Sequence, residues 1–127
     1  MERCAEDAVS FTVMLVDIEA AGGALTHWVL FDLPSMTRRL STGVPAIETL
    51  PQLARARHAK TDASGKVGYA APCPPPGPPH RYAFRIFALD RTLSLPTTAP
   101  AKPADVKKAM QGHIVGSAEL LVSVVRK

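Results

Sequence analysis

Disulfide chemistry has almost nothing to work with in this chain. Its 127 residues include two cysteines, Cys4 and Cys73, too few and too far apart for the cross-linked framework of a small secreted domain. Both are read as reduced thiols of a cytoplasmic protein, with a single Cys4–Cys73 bridge left open. Aromatic residues are scarce as well, 6% with one tryptophan, which leaves little for a base-stacking platform. No apolar run approaches the ~20 residues of a membrane-spanning helix. The opening M-E-R-C-A-E-D is acidic and lacks the apolar core of a secretory signal. Catalytic signatures are missing too. There is no H-E-x-x-H and no G-x-S-x-G, and S-G-K-V at 64–67 lacks the leading glycine and trailing Ser/Thr of a phosphate loop. The expectation is therefore a protein that is not an enzyme and carries no cofactor.

What is present is the composition of one globular domain, residues 1–127. Hydrophobic residues make up 46% and charged residues 20%, ordinary for a folded chain. The length suffices to bury roughly two-thirds of the unfolded surface. A net charge of +4 biases the surface mildly toward anions. The basic residues are scattered apart from a loose group at Arg55, Arg57, His58 and Lys60, so nucleic acid is not expected as a partner.

Residues 9–17, V-S-F-T-V-M-L-V-D, alternate with apolar side chains on both faces and predict a central strand. The small residues at 20–24 predict a reversal, and His27–Leu33 a second strand stopped by Pro34. From Ser35 to Gly68 no apolar period persists. The reading there is a long irregular connection with a short helical turn near Ile47–Leu53. Six prolines between Pro72 and Pro79 then make a stiff, non-helical loop. It runs into an alternating strand at 80–89, with His80, Tyr82, Phe84, Ile86 and Ala88 on one face. Pro103, Asp105, Lys107, Lys108 and Gly112 mark a short helix, and Ile114–Val125 a last strand. Strands in sequence with one late helix predict a β-dominated domain.

Three side chains stand out chemically: Asp17 at a strand end, His27 at a strand start and His80 directly after the rigid loop. Imidazoles and the Tyr82 phenol can donate hydrogen bonds to one phosphate group, more strongly if an imidazole is protonated, and a carboxylate can orient an imidazole. Blander readings apply elsewhere. His58 and His113 are read as structural or solvated, Trp28 as packing, and Cys73 as unreactive because no base is identifiable beside it. Pro76-x-x-Pro79-x-Arg81 has the form of a proline-helix docking motif, but displaying it would unpack the strand that follows.

The run P-C-P-P-P-G…P-H-R-Y at 72–82, with F-T-V-M-L-V-D at 11–17, H-W-V-L-F-D-L-P at 27–34, G-K-V-G-Y at 65–69 and G-H-I-V-G-S-A-E-L at 112–120, resembles the phosphatidylethanolamine-binding protein family in its short bacterial, Raf-kinase-inhibitor-like form. The resemblance implies a β-sandwich with short peripheral helices and a small anion pocket at a sheet edge. It implies that Asp17, His27, His80 and Tyr82 line that pocket, with Ala71 and Pro74 in its wall. The expected ligand is a small phosphate-containing anion or a phospholipid headgroup. Two other readings stand beside it. One is an inhibitor of a kinase or protease acting by protein contact. The other is a metalloenzyme built on Asp17, His27 and His80. There are departures from the family pattern. Asp17-Ile18-Glu19-Ala20-Ala21 replaces D-P-D-x-P, Leu25 stands where an aromatic is common, and Val124 stands near a position often held by tyrosine. The N-terminal strand and S-P-x-L-x-W segment that the resemblance implies have no counterpart. The domain is therefore read as N-terminally shortened, with an exposed sheet edge and apolar surface that favour self-association, a homodimer among the options, or low stability.

Overall fold

A computed structural model describes residues 8–19, 25–34, 47–50, 56–61, 65–69, 80–93, 95–96 and 99–124. β1 (Ser10–Asp17), β2 (Leu25–Pro34), β3 (Thr49–Leu50), β4 (Ala56–His58), β5 (His80–Leu89) and β6 (Ile114–Val124) form a six-stranded sheet in the order β3-β4-β2-β1-β5-β6. All five strand pairings are antiparallel. The one helix described, α1 (Pro103–Met110), precedes β6. The chain is mainly β.

β1 takes the central position its composition demands, hydrogen-bonded to β2 on one side and β5 on the other. Met14 and Val16 join Val29, Phe31 and Leu89 on one face, where Val106 and Met110 of α1 close a buried cluster. Phe11 and Val13 point to the opposite face and pack around Leu30, Leu33, Leu50 and Ala56. α1 starts with proline at its first turn, where the missing amide costs nothing. Asp105 accepts the Lys102 backbone amide at 3.1 Å. Gly112 follows the helix with φ +81°, a left-handed conformation that ends helices and suits glycine.

Two irregularities interrupt the β1–β2 ladder. Phe11 pairs with Leu33 but Val13 with Leu30, and Leu15 pairs with Trp28 but Val16 with Thr26. Each gives β2 one residue more than β1, the definition of a bulge. The first contains Asp32 at φ +61°, whose carboxylate accepts the Leu93 amide at 2.7 Å. The second contains His27.

Within the stretch 35–68 the described residues, 47–50, 56–61 and 65–68, contribute β3, β4 and an isolated bridge between Lys60 and Val67, where the sequence reading had a helical turn near Ile47–Leu53. The rest of the predicted irregular connection lies outside the described residues. Thr49 and Leu50 are strand, not helix. These segments are two and three residues long, too short to display a hydrophobic period, and β4 spends two of its three positions on Arg57 and His58. Both are buried. Arg57 donates to the Leu95 and Pro96 carbonyls and to Glu48, at 3.0, 3.0 and 3.1 Å, and lies over the Phe31 ring. The supposed basic cluster is thus partly an internal strut. β2 also begins at Leu25, ahead of the predicted His27. The turn at 20–24, both cysteines and the proline loop lie outside the described residues.

Candidate functional site

The antiparallel pairing of β1 with β5 sets the end of one strand beside the start of the other. Asp17, last in β1, lies opposite Tyr82, and His80 opens β5. His80 Nδ1 meets Asp17 Oδ2 at 3.0 Å, joining residues 63 apart in sequence. The other carboxylate oxygen accepts the Glu19 amide at 2.9 Å. The His80 side chain is 18% exposed and that of Asp17 6%, so the pair is mostly buried and His80 is its more accessible member.

Burial works against ionising Asp17. The hydrogen bonds from His80 and from the Glu19 amide, and the neighbouring imidazoles of His80 and His27, outweigh it and hold the carboxyl below its ordinary pKa. Asp17 is therefore a carboxylate at neutral pH. Because a carboxylate only accepts, His80 Nδ1 carries the proton of this bond, and Nε2 is the nitrogen that can serve a ligand.

His27 reaches the same end of the sheet by the bulge in β2, a feature that redirects side chains. Its ring stands edge-on to Tyr82, with centroids 5.4 Å apart and planes at 83°. Both residues are buried, at 6% and 1% exposure. Four of the six residues singled out from the sequence (Asp17, His27, His80 and Tyr82) thus gather at one end of β1, β2 and β5. Ala71 and Pro74 lie outside the described residues. Below His80, Arg81 pairs with Glu19 through its side chain and its backbone amide, clamping the chain after β1 to the start of β5. A concavity of about 630 Å³ elsewhere runs along α1, lined by Leu95, Pro96, Ala101, Asp105, Lys108 and Ala109, with none of the four in its wall. Among the described residues no group of three His, Cys, Asp or Glu side chains is arranged to hold a metal ion.

Trp28 and His58, read from the sequence as packing and as structural or solvated residues, are bonded to each other beside this constellation in the chain. Trp28 Nε1 donates to His58 Nε2 at 2.9 Å, and His58 Nδ1 faces the Ile47 carbonyl at 2.9 Å. Indole can only donate and a carbonyl can only accept, so His58 is the neutral tautomer with its proton on Nδ1. Burial pushes its pKa down, the Ile47 bond opposing in part. Tyr69 stands edge-on to Trp28 at 5.7 Å. His27 is thereby carried on a segment whose next residue is pinned. His113, the remaining histidine, bonds Asp90 at 3.0 Å.

The profile of the family described as phosphatidylethanolamine-binding protein matches residues 1–125. The chain belongs to the phosphatidylethanolamine-binding protein family. Its relatives include a UPF0098 protein of Aquifex aeolicus, 38% identical over 122 residues, covering 94% of this chain and 68% of the relative. Another, from Methanothermobacter thermautotrophicus, is 38% identical over 115 residues, covering 91% and 72%. Among solved structures, the phosphatidylethanolamine-binding protein homologue CT736 of Chlamydia trachomatis superposes with a TM-score of 0.79 at 28% identity, over 95% of this chain and 74% of that one. E. coli YbcL, described as a member of the mammalian family, gives 0.75 at 26%, over 96% and 74%. The phosphatidylethanolamine-binding protein fold is therefore that of this chain.

Proposed function

We propose that this family member binds small phosphate-containing anions, free or as phospholipid headgroups, at the Asp17–His27–His80–Tyr82 end of the sheet, without catalysing a reaction on them. The observation that carries the reading is the His80–Asp17 bond at 3.0 Å, which fixes the imidazole with Nε2 available and Nδ1 taken. A phosphate oxygen that bonds Nε2 meets a ring whose other nitrogen is already held by the Asp17 carboxylate. His27 and Tyr82, both buried, stand beside this pair with further polar groups, in a setting where polar contacts are stronger than in water. Among the described residues the His80 side chain hydrogen-bonds Asp17 alone.

Calorimetric titration of the full chain with inorganic phosphate and with phosphoethanolamine tests the reading. Binding by the wild type that His80→Ala weakens by at least about tenfold, a loss of one charge-assisted hydrogen bond, supports it. No binding, or equal binding by the variant, rejects it. A preference for phosphoethanolamine over phosphate assigns the site to headgroups, and equal affinity to the phosphate group itself.

A further inference from the structure

The two edges of the described sheet are unlike. β3 is two residues long, the short edge by which a monomeric sheet avoids pairing with others. β6 is eleven residues long, I-V-G-S-A-E-L-L-V-S-V, and among the described residues has none of the usual protection. It contains no proline and no lysine, and its one charge, Glu119, is engaged by Arg85 of β5 at 2.7 Å. Ile114, Leu120 and Leu121 are 44%, 63% and 52% exposed. Leu120 and Leu121 point to opposite faces, and Leu120 shares its face with Gly116, Ala118 and Val122, an apolar stripe that runs out to an edge position.

We propose that β6 is the seam of a two-fold dimer, in which it pairs antiparallel with β6 of a second copy and continues the sheet. Its backbone is set for this. The Arg81 and Leu89 carbonyls accept the Ile18 and Val9 amides on the β1 side, so by strand alternation the even residues of β5 turn toward β6. They face Val122, Leu120 and Ala118, whose backbone groups they occupy. The groups of Ser117, Glu119, Leu121 and Ser123 consequently point outward from the edge.

The side chains choose the register. A two-fold axis at Glu119 gives the longest overlap but opposes two carboxylates. At Ala118 it sets Leu120 against Gly116 of the second copy, and at Leu121 it shortens the ladder. With the axis at Leu120, Leu120 meets Leu120 of the second copy, Ala118 meets Val122, Ser117 meets Ser123, and Glu119 stays beside its own Arg85. That register also completes a row already in the monomer: Trp28, Leu15, Phe84 and Leu120 lie side by side across β2, β1, β5 and β6. The dimer joins two such rows end to end and covers the exposed Leu120 pair. A second copy is the occupant that answers the outward backbone groups, the apolar residue at the axis and the isolated charge together. An unrelated peptide has no reason to match all three.

Sedimentation of the full chain, with circular dichroism as a folding control, tests the proposal. The wild type is expected to sediment as a dimer at micromolar concentration. Leu120→Lys, a change at an exposed position that sets two ammonium groups face to face, should weaken association by roughly 100-fold while keeping the β-sheet spectrum. The register has its own readout. With Cys4 and Cys73 replaced by serine, Leu120→Cys should form an intermolecular disulfide, because Leu120 and its copy make a non-hydrogen-bonded pair with Cα atoms about 4.5 Å apart. Ala118→Cys should not, its copy lying about 13 Å away along the strand. A monomeric wild type, a Leu120→Lys variant that dimerises equally well, or equal cross-linking at Ala118 and Leu120 overturns the proposal.

Discussion

Acidification should destabilise this protein through His58, and the geometry fixes both sign and scale. The ring is buried, accepts from Trp28 through Nε2 and donates to Ile47 through Nδ1. Protonation would put a second N–H on Nε2, facing the indole N–H, so one buried hydrogen bond becomes a clash of donors. The folded-state pKa is accordingly lowered from 6.5. Between that lowered value and 6.5 the unfolded chain binds the proton more readily than the folded one. Stability is therefore full above pH 6.5 and falls as pH drops through the window, by at most about 1.4 kcal/mol per pH unit for one proton. The perturbation is His58→Asn, which cannot titrate in this range. At pH 8 it should cost about 2–4 kcal/mol, because at least one of the buried Trp28 and Ile47 groups loses its partner. Urea unfolding followed by fluorescence of Trp28, the single tryptophan, reads the effect directly. Plotted from pH 8 to pH 5, the gap between wild type and His58→Asn should narrow as the wild type weakens, the other histidines being common to both. A gap that is constant or widens on acidification would refute the reasoning.

Two carboxylates should respond in opposite directions. Asp17→Asn removes a charge-assisted bond to His80 and should cost about 1.5–3 kcal/mol at pH 7. The depressed pKa of Asp17 means that this stabilisation is complete above 3.8 and is lost as pH falls toward the folded-state value, so acid unfolding curves of wild type and variant should converge below pH 3.8. Asp32 is the reverse case. Burial raises its pKa above 3.8 against the Leu93 amide bond and the Arg57 charge, so its ionised form is a cost that accrues as pH rises through that window. Asp32→Asn should add about 0.5–1 kcal/mol at pH 7 in thermal unfolding, helped by the tolerance of asparagine for a left-handed φ, with the gain disappearing in acid. A variant less stable than wild type at pH 7 would show that the Arg57 attraction dominates.

Long elements with a sustained period were legible in the sequence, and short ones were not. β5 begins where the prolines stop and alternates for ten residues, and α1 carries its own stop and start residues. β3 and β4 contribute five positions between them, and a pattern of period two cannot emerge from so few. Their burial follows from partners remote in sequence, such as the Leu95 and Pro96 carbonyls for Arg57. The same limit applies to the site. Strand-end positions singled out Asp17 and His80, but their meeting depends on β1 pairing with β5 across the whole of β2 to β4, which local pattern does not encode and the family resemblance supplied. The bulge that turns His27 toward Tyr82 leaves no local mark at all, because the extra residue is defined only against the partner strand.

The central claim concerns one nitrogen of one ring, and ¹⁵N NMR of the histidine imidazoles during a phosphate titration observes it directly. On the account given, His80 starts with its proton on Nδ1, and added phosphate shifts its Nε2 signal toward the protonated form in a saturable way. His27 should respond too, while His58 and His113 stay unchanged. Saturable binding that leaves the His80 ring signals where they were would contradict the claim.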